Sequence, residues 1–160
     1  MATNDPSDGI QQAIYGFIAV GSKATDGTAD SMTASWGTQV SFDPRVYAVA
    51  VQEASNTAAN IKATGVFSIN FMPGDTHDLA AKMARRSESG ESRLEDQEVS
   101  YHGTGTPVLG AAVGWIECRV VDSAQPGDHI VFFGEVVGGG QGPADGEPGT
   151  LSSIGMSYAG

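Results

Sequence analysis

The stretch DSMTASWGTQVSFDP, from Asp30 to Pro44, decides the fold class because it reads as extended chain that is lined with small hydroxyl residues. A strand that only filled a core would carry valine, isoleucine and leucine on its inward face. This stretch instead offers four hydroxyl side chains around one tryptophan: Thr33, Ser35, Thr38, Ser41 and Trp36. We infer that something polar lies along it.

Apolar runs on both sides of this stretch predict further β-strands. AIYGFIAV (13–20) is the first, and the turn Asp26-Gly27 leads into the opening stretch, which YAVAV (47–51) follows to complete a meander. VFSINFM (66–72) alternates as the next strand, with Phe67, Ile69 and Phe71 on one face. The remaining predicted strands are two longer ones and a short terminal one, at 111–121, 130–137 and about 151–158.

Two short helices complete the predicted elements. Ser55 or Asn56 is a plausible N-cap for the first helix and Gly65 a C-cap, while Thr76 could cap the second, HDLAAKMARR (77–86). Residues 86–105 are predicted as a long surface loop. Six or seven strands with two short helices indicate a mainly β protein, either a barrel or a sandwich.

The chain has 160 residues, which is the length of a single domain, and no composition shift divides it. Residues 1–12 are predicted to be flexible, and residues 138–150 are predicted to form a loop rich in glycine and proline.

The charge of the chain disfavours two classes of partner. With 19 acidic against 8 basic residues the formal net charge is -11, which repels nucleic acid and anionic membrane surfaces. The single Cys118 cannot form an intramolecular disulfide, and no secretory signal begins the sequence. We therefore expect a cytoplasmic protein.

No familiar catalytic motif is present in the sequence. His77, His102 and His129 occur singly, without the spacing of a metal site, so no bound metal is expected. There is no nucleophile elbow and no glycine-rich Rossmann fingerprint. The Ser55-Asn56-Thr57 cluster at a helix start could hold an anion or could simply cap the helix.

Three blocks of sequence together resemble the flavin reductase-like family of FMN-binding split barrels. The first runs from the aliphatic strand through DSMTASWGTQVSFDP to YAVAV, the second is IKATGVFSINF, and the third is GWIECRVVDSAQPGDHIVFFGEVV. MTASW followed by a D-P pair and, far downstream, by GDH and GEV is the specific part. The blocks cover roughly residues 15–137 in the family's order. Asp30 departs from the pattern, since many relatives carry asparagine or glycine there.

The resemblance implies a homodimeric, Greek-key-like split β-barrel that binds FMN, or FAD, non-covalently and reduces it with NADH or NADPH. It further implies a cofactor site on the polar strand and the helix start. The residues that match it are Thr33, Ala34, Ser35 and Trp36 at the ring, with Gln39 and Ser41 further along, then Gln52, Glu53 and Ala54 on the ribityl side, and Ser55, Asn56 and Thr57 at the phosphate.

Basic residues and one histidine complete the implied site. Arg85, Arg86 and Arg93 could supply charge to the phosphate or could pair with Glu88, Glu91 or Glu95 in the acidic loop. His129, in GDH, is associated with the nicotinamide, and its alternative role is a bond to a neighbouring carbonyl.

Three functions are compatible with this sequence. The first is an NAD(P)H-dependent flavin reductase that supplies reduced flavin to a partner such as a monooxygenase. The second is an FMN-binding electron-transfer protein without a nicotinamide site. The third is a ligand-binding barrel with no redox role.

Overall fold

The computed structural model describes residues 4–157 and contains nine strands, three α-helices and one 3-10 turn within that range. The helices are α1 Pro6–Ile10, α2 Asn56–Thr64 and α3 His77–Ala84, and the 3-10 turn is Ser152–Ile154. The strands are β1 Ile18–Lys23, β2 Ala29–Ala34, β3 Gly37–Phe42, β4 Arg45–Gln52, β5 Val66–Phe71, β6 Val99–Tyr101, β7 Pro107–Leu109, β8 Gly114–Ala124 and β9 His129–Gln141.

Seven strands form one antiparallel sheet in the order β2-β1-β5-β8-β9-β4-β3, and β6 pairs with β7 apart from it. The two edge strands, β2 and β3, follow each other in the chain and are separated only by Ser35 and Trp36. Two edges joined by so short a link must lie side by side, so the sheet curls into a barrel that is split at this link. The prediction of a mainly β barrel with short helices is confirmed.

The opening stretch forms two strands, and the predicted meander is wrong. β2 pairs with β1 and β3 pairs with β4, so the two halves of the stretch lie on opposite edges of the sheet. The chain turns at Ser35 and Trp36, and the Trp36 carbonyl accepts a hydrogen bond from Ala50 N at 2.8 Å. This turn opens the barrel wall at the point where the hydroxyl residues are concentrated.

Alternating side chains of the sheet fill the barrel. Phe67 and Ile69 of β5 are fully buried there with Val49 and Val51 of β4, and Phe71 packs against the same cluster. A second cluster lies outside the barrel, where α3 and the C-terminal segment cover β1 through residues that include Met83. Both faces of β1 are therefore buried, which explains its continuous apolar sequence.

Helix α2 begins and ends as predicted. Ser55 Oγ accepts a hydrogen bond from Ala58 N at 3.1 Å, and Gly65 adopts the left-handed conformation with a φ of 70°. Thr76 occupies the N-cap position of α3 as predicted, but its side chain makes no capping bond, because its hydroxyl donates to Pro73 O at 2.8 Å. This helix ends at Ala84.

Residues 86–105 are not wholly a surface loop. Ser87, Arg93 and Leu94 are buried against the barrel, and the segment contributes β6. The sequence pattern suggested an exposed loop because the segment is polar and has no hydrophobic periodicity. Nothing in that pattern indicates that Arg93 is buried.

The glycine-rich segment and both termini also differ from expectation. Residues 138–141 do not form a loop but continue β9 and pair with β8. Glycine is needed at 139 because a Cβ there would lie 2.8 Å from Trp115 O. A 3-10 turn replaces the predicted terminal strand, whose last residue, Tyr158, lies outside the described residues. Within the predicted flexible segment, residues 6–10 form α1.

Candidate functional site

One cleft of about 340 Å³ opens beside the split in the barrel wall. Its volume lies within the range of pockets that bind small molecules. Three structures meet there: the end of β2 with its link to β3, the start of α2, and the segment after α3. Its lining consists of Met32, Thr33, Ala34, Ser35, Trp36, Ala50, Gln52, Ala54, Ser55, Asn56, Met83, Ala84, Arg85, Arg86, Ser87, Arg93 and His129.

The end of β2 presents main-chain groups to the cleft more than free hydroxyls. Thr33 is buried, and its hydroxyl donates to Ala80 O of α3 at 2.7 Å. That proton is therefore unavailable to a ligand. Because β2 is an edge strand, the chain leaves the regular ladder at Ser35, whose backbone N-H can be offered to a planar ligand.

His129 lies across the cleft in a fixed orientation. Its Nδ1 lies 2.7 Å from Asp128 Oδ1, and its ring packs on Trp36 with the ring centroids 4.7 Å apart. The hydrogen bond with His129 lowers the pKa of Asp128, so this carboxylate is charged and holds the imidazole. The ring is thus neither free nor bonded to a carbonyl.

The start of α2 points its dipole at the same cleft. The Ser55 hydroxyl occupies the Ala58 amide, while within the described chain the amides of Asn56 and Thr57 donate no hydrogen bond. Free amides at a helix start favour an anion. The cluster therefore caps the helix and also leaves donors available.

Positive charge concentrates here although the chain as a whole is strongly acidic. Arg85, Arg86 and Arg93 line the cleft, and its described lining contains no carboxylate. Arg86 is 4.0 Å from Glu88 on the surface, whereas no carboxylate of residues 4–157 lies within 4.0 Å of Arg85. The cleft is suited to an anionic group at its α2 end.

Beneath the cleft, Arg93 forms a buried ion pair with Asp30 of β2. Arg93 Nη2 lies 2.6 Å from Asp30 Oδ2, and the two residues are 9% and 1% exposed. Among the described residues, Arg93 forms no ion pair with Glu88, Glu91 or Glu95, the partners suggested by the sequence. Asp30 is thus the counter-charge of this arginine.

Four predicted site residues do not line the cleft. Gln39 and Ser41 lie along β3, where Gln39 Nε2 bonds to Ser41 O at 3.0 Å. Glu53 faces outward, 3.7 Å from Lys62, and Thr57 is buried behind the cleft, 3.3 Å from Arg93 Nη2. All the other predicted residues lie in the cleft: Thr33, Ala34, Ser35, Trp36, Gln52, Ala54, Ser55, Asn56, Arg85, Arg86 and His129.

Sequence reasoning missed five lining residues, namely Met32, Ala50, Met83, Ala84 and Ser87. Ala50 shares a strand with core residues, and Met83 shares a helix with them, so their apolar character gave no sign of a site. Ser87 could be found only from the fold, which brings the segment after α3 beside β2.

Residues 4–157 show neither a metal centre nor an activated cysteine. No group of three or more histidine, cysteine or acidic residues is arranged to hold a metal in that range. Burial raises the pKa of Cys118 to about 12, which disfavours its thiolate. None of the described helices is long and apolar enough to span a membrane.

Comparison with known families and proteins supplies independent information about the family and the fold of this chain. Residues 13–158 match the model of the "Flavin reductase like domain" family. An FMN reductase (NADH) of Ancylobacter novellus is 31% identical over 116 residues, 71% of this chain and 64% of that protein. The reductase subunit of a stachydrine N-demethylase from Rhizobium meliloti is 29% identical over 104 residues, 65% of this chain and 44% of its own length.

Relatives with other names also match. An actinorhodin polyketide dimerase of Streptomyces coelicolor is 29% identical over 129 residues, 81% of this chain and 71% of the relative. Four further curated relatives are longer, and the chain spans only 20% to 51% of their length.

Among solved structures, the fold matches that of an NADH:FAD oxidoreductase from Streptomyces globisporus. The TM-score is 0.79 at 22% identity, over 90% of this chain and 89% of the other. The TM-score establishes a shared architecture across nearly the whole chain.

Proposed function

The chain belongs to the flavin reductase like domain family, and from this premise we propose that it is an NAD(P)H-dependent flavin reductase. It binds FMN non-covalently in the cleft and supplies reduced flavin to a partner such as a two-component monooxygenase. One observation carries the proposal: a chain of net charge -11 places a helix start and three arginines, and no carboxylate among the described lining residues, at a cleft beside the barrel split.

The lining of the cleft suits FMN in its charge. Residues 33–36 would border the flavin ring, and Gln52 and Ala54 would lie on the ribityl side. Arg85 and the free amides at the start of α2 bind the phosphate. FAD carries the same ring and a phosphate in the same place, so it is the alternative flavin.

Bound flavin would supply the redox chemistry by accepting a hydride from the nicotinamide. The chain has only to bind and orient the flavin and the nicotinamide and to exclude water. This explains why no nucleophile or acid-base pair is needed. Backbone donors near the ring stabilise negative charge on reduced flavin. His129, held between Asp128 and Trp36, orients the nicotinamide at the open side.

A visible spectrum of purified protein titrated with FMN tests the proposal directly. We expect saturable FMN binding, followed by bleaching of the flavin when NADH or NADPH is added without oxygen. Binding without bleaching would favour an electron-transfer protein that receives electrons from a protein donor. Absence of FMN and FAD binding would leave only a barrel without a redox role. The same titration with the two nicotinamides gives the preferred donor.

The replacement His129→Ala should slow flavin reduction by NADH about tenfold, the effect of one lost orienting hydrogen bond. FMN affinity should change less than about threefold, since the histidine does not contact the phosphate end. Stopped-flow absorbance under anaerobic conditions measures the rate. Equal losses in rate and FMN affinity would instead indicate a folding role.

The matched control is His102→Ala. His102 also stacks on a tryptophan, Trp115, with ring centroids 4.3 Å apart, but this pair lies outside the cleft. Reduction by the control should match the unaltered protein.

We expect the protein to act as a homodimer in the cytoplasm. Exposed apolar side chains on the sheet include Val40, Phe42, Val121 and Val137, and Phe42 is 91% exposed. Such surface commonly marks a protein interface. Light scattering should give the mass of two chains, and the mass of one chain would contradict the dimer. The single cysteine accords with a reducing compartment.

A further inference from the structure

The buried pair of Asp30 and Arg93 occupies a place in the fold that the proposed chemistry does not use. Asp30 lies on β2, at the edge of the split, and Arg93 lies on the segment that returns after α3. Burying two charges costs free energy, so well-packed apolar residues of similar volume would often serve stability as well or better. Their contacts indicate a different role.

Arg93 uses all five of its guanidinium N-H groups. Nε and Nη2 donate to the two carboxylate oxygens of Asp30, at 3.1 and 2.6 Å. Nη1 donates to Met83 O at 3.0 Å and to Arg85 O at 2.8 Å, and Nη2 also reaches Thr57 Oγ1 at 3.3 Å. One side chain thereby joins β2, the end of α3 and the first turn of α2.

These contacts hold the part of the chain that carries the cleft arginines. Within residues 4–157, two hydrogen bonds tie residues 85–87 to the barrel: Arg93 Nη1 to Arg85 O, and Ser87 Oγ to Asp30 Oδ2 at 3.1 Å. Both end on the buried pair. The side chain of Arg86 is 82% exposed, and its ion pair is with Glu88, two residues along the same segment.

We propose that Arg93, paired with Asp30, is a positioning residue that fixes residues 85–87 beside the start of α2 and so sets the phosphate end of the flavin site. It acts through main-chain carbonyls, because all of its guanidinium N-H groups are used within the fold and none is left to donate to the flavin. The inference rests on the proposed function for its ligand, but its mechanical part can be tested without any ligand.

The test variant is Arg93→Lys, which keeps the charge but replaces a planar fork by a single ammonium group. A lysine can bond to Asp30 but cannot also reach the main-chain carbonyls of Met83 and Arg85. The matched control is Arg119→Lys, the same change at an exposed position of β8.

The first measurement is limited trypsin digestion of the protein without flavin, with cleavage sites mapped by mass spectrometry. Arg85 and Arg86 are trypsin sites, and a freed segment should be cut there at least about tenfold faster, as expected for a local opening eased by ~1.4 kcal/mol. Cleavage at Arg85 and Arg86 that is unchanged in Arg93→Lys would overturn the proposal that Arg93 holds residues 85–87 in place.

The second measurement compares the affinities of FMN and riboflavin by fluorescence titration, since riboflavin lacks the phosphate. Arg93→Lys should weaken FMN about tenfold and riboflavin less than about threefold, because only the phosphate end moves. Equal weakening of both ligands would indicate general damage and overturn the inference.

The two proposals fail in distinguishable ways. If the unaltered protein binds no flavin, the proposed function fails, and trypsin digestion alone then decides whether Arg93 holds residues 85–87 in place. If the unaltered protein prefers FMN to riboflavin but Arg93→Lys behaves like Arg119→Lys, only the positioning role is wrong.

Discussion

Replacing Ala50 by phenylalanine should weaken FMN binding about 100-fold, or ~3 kcal/mol, while the barrel still folds. Ala50 is the one β4 residue with an apolar side chain that lines the cleft, and it is only partly buried. Its neighbours Val49 and Val51 point the other way, into the core. A benzyl group there would fill space that the flavin ring must enter.

Fluorescence titration with FMN measures this loss, and thermal unfolding reports on the fold. The control is Ala63→Phe, which adds the same group to an exposed position on α2. We expect the control to bind FMN normally. An Ala50→Phe protein that bound FMN as tightly as the control would place the flavin somewhere other than this cleft.

Replacing Gly134 by alanine should lower the free energy of unfolding by about 3 kcal/mol, the upper part of the usual range for overpacking. A Cβ at this position would lie 2.6 Å from both Cys118 Cβ and Phe67 Cζ. The first of these atoms is fixed to the β8 backbone and cannot move aside. Urea unfolding followed by tryptophan fluorescence measures the change.

The matched control for Gly134→Ala lies six residues along the same strand. A Cβ on Gly140 would meet its nearest atom, Trp115 Nε1, at 3.6 Å, which is ordinary contact. We therefore expect Gly140→Ala to leave stability unchanged or to raise it by about 0.4 to 1 kcal/mol through a less flexible unfolded chain. Equal losses in the two variants would mean that strand glycines matter here for backbone freedom instead of space.

Local patterns predicted the elements well wherever one strand or helix carried its own signal. The alternation of Phe67, Ile69 and Phe71 matches β5, and Ser55 with Gly65 marks both ends of α2. These signals are short-range, because strand alternation and helix caps depend on neighbouring residues only. The opening stretch was harder, since no local signal shows that its two halves pair with different partners.

The candidate site was predicted in part, and the errors have a common cause. Thr33 belongs to the cleft, but its hydroxyl is used within the fold, and Thr57 lies behind the cleft beside Arg93. Gln39 was expected on the same polar strand, yet the chain turns before it. Sequence shows which residues are polar but not which of their hydrogen-bonding groups remain free.

The sequence by itself determined the kind of protein: an acidic, mainly β chain whose residues resemble a flavin reductase and carry no nucleophilic or metal motif. Composition, alternation and motif order are properties of the chain, and they do not require a fold to be read. The tertiary structure alone decided that Asp30 and Arg93 meet beneath the cleft and that residues 85–87 stand beside α2. These contacts join residues about 60 positions apart, and only the closure of the barrel brings them within hydrogen-bonding distance.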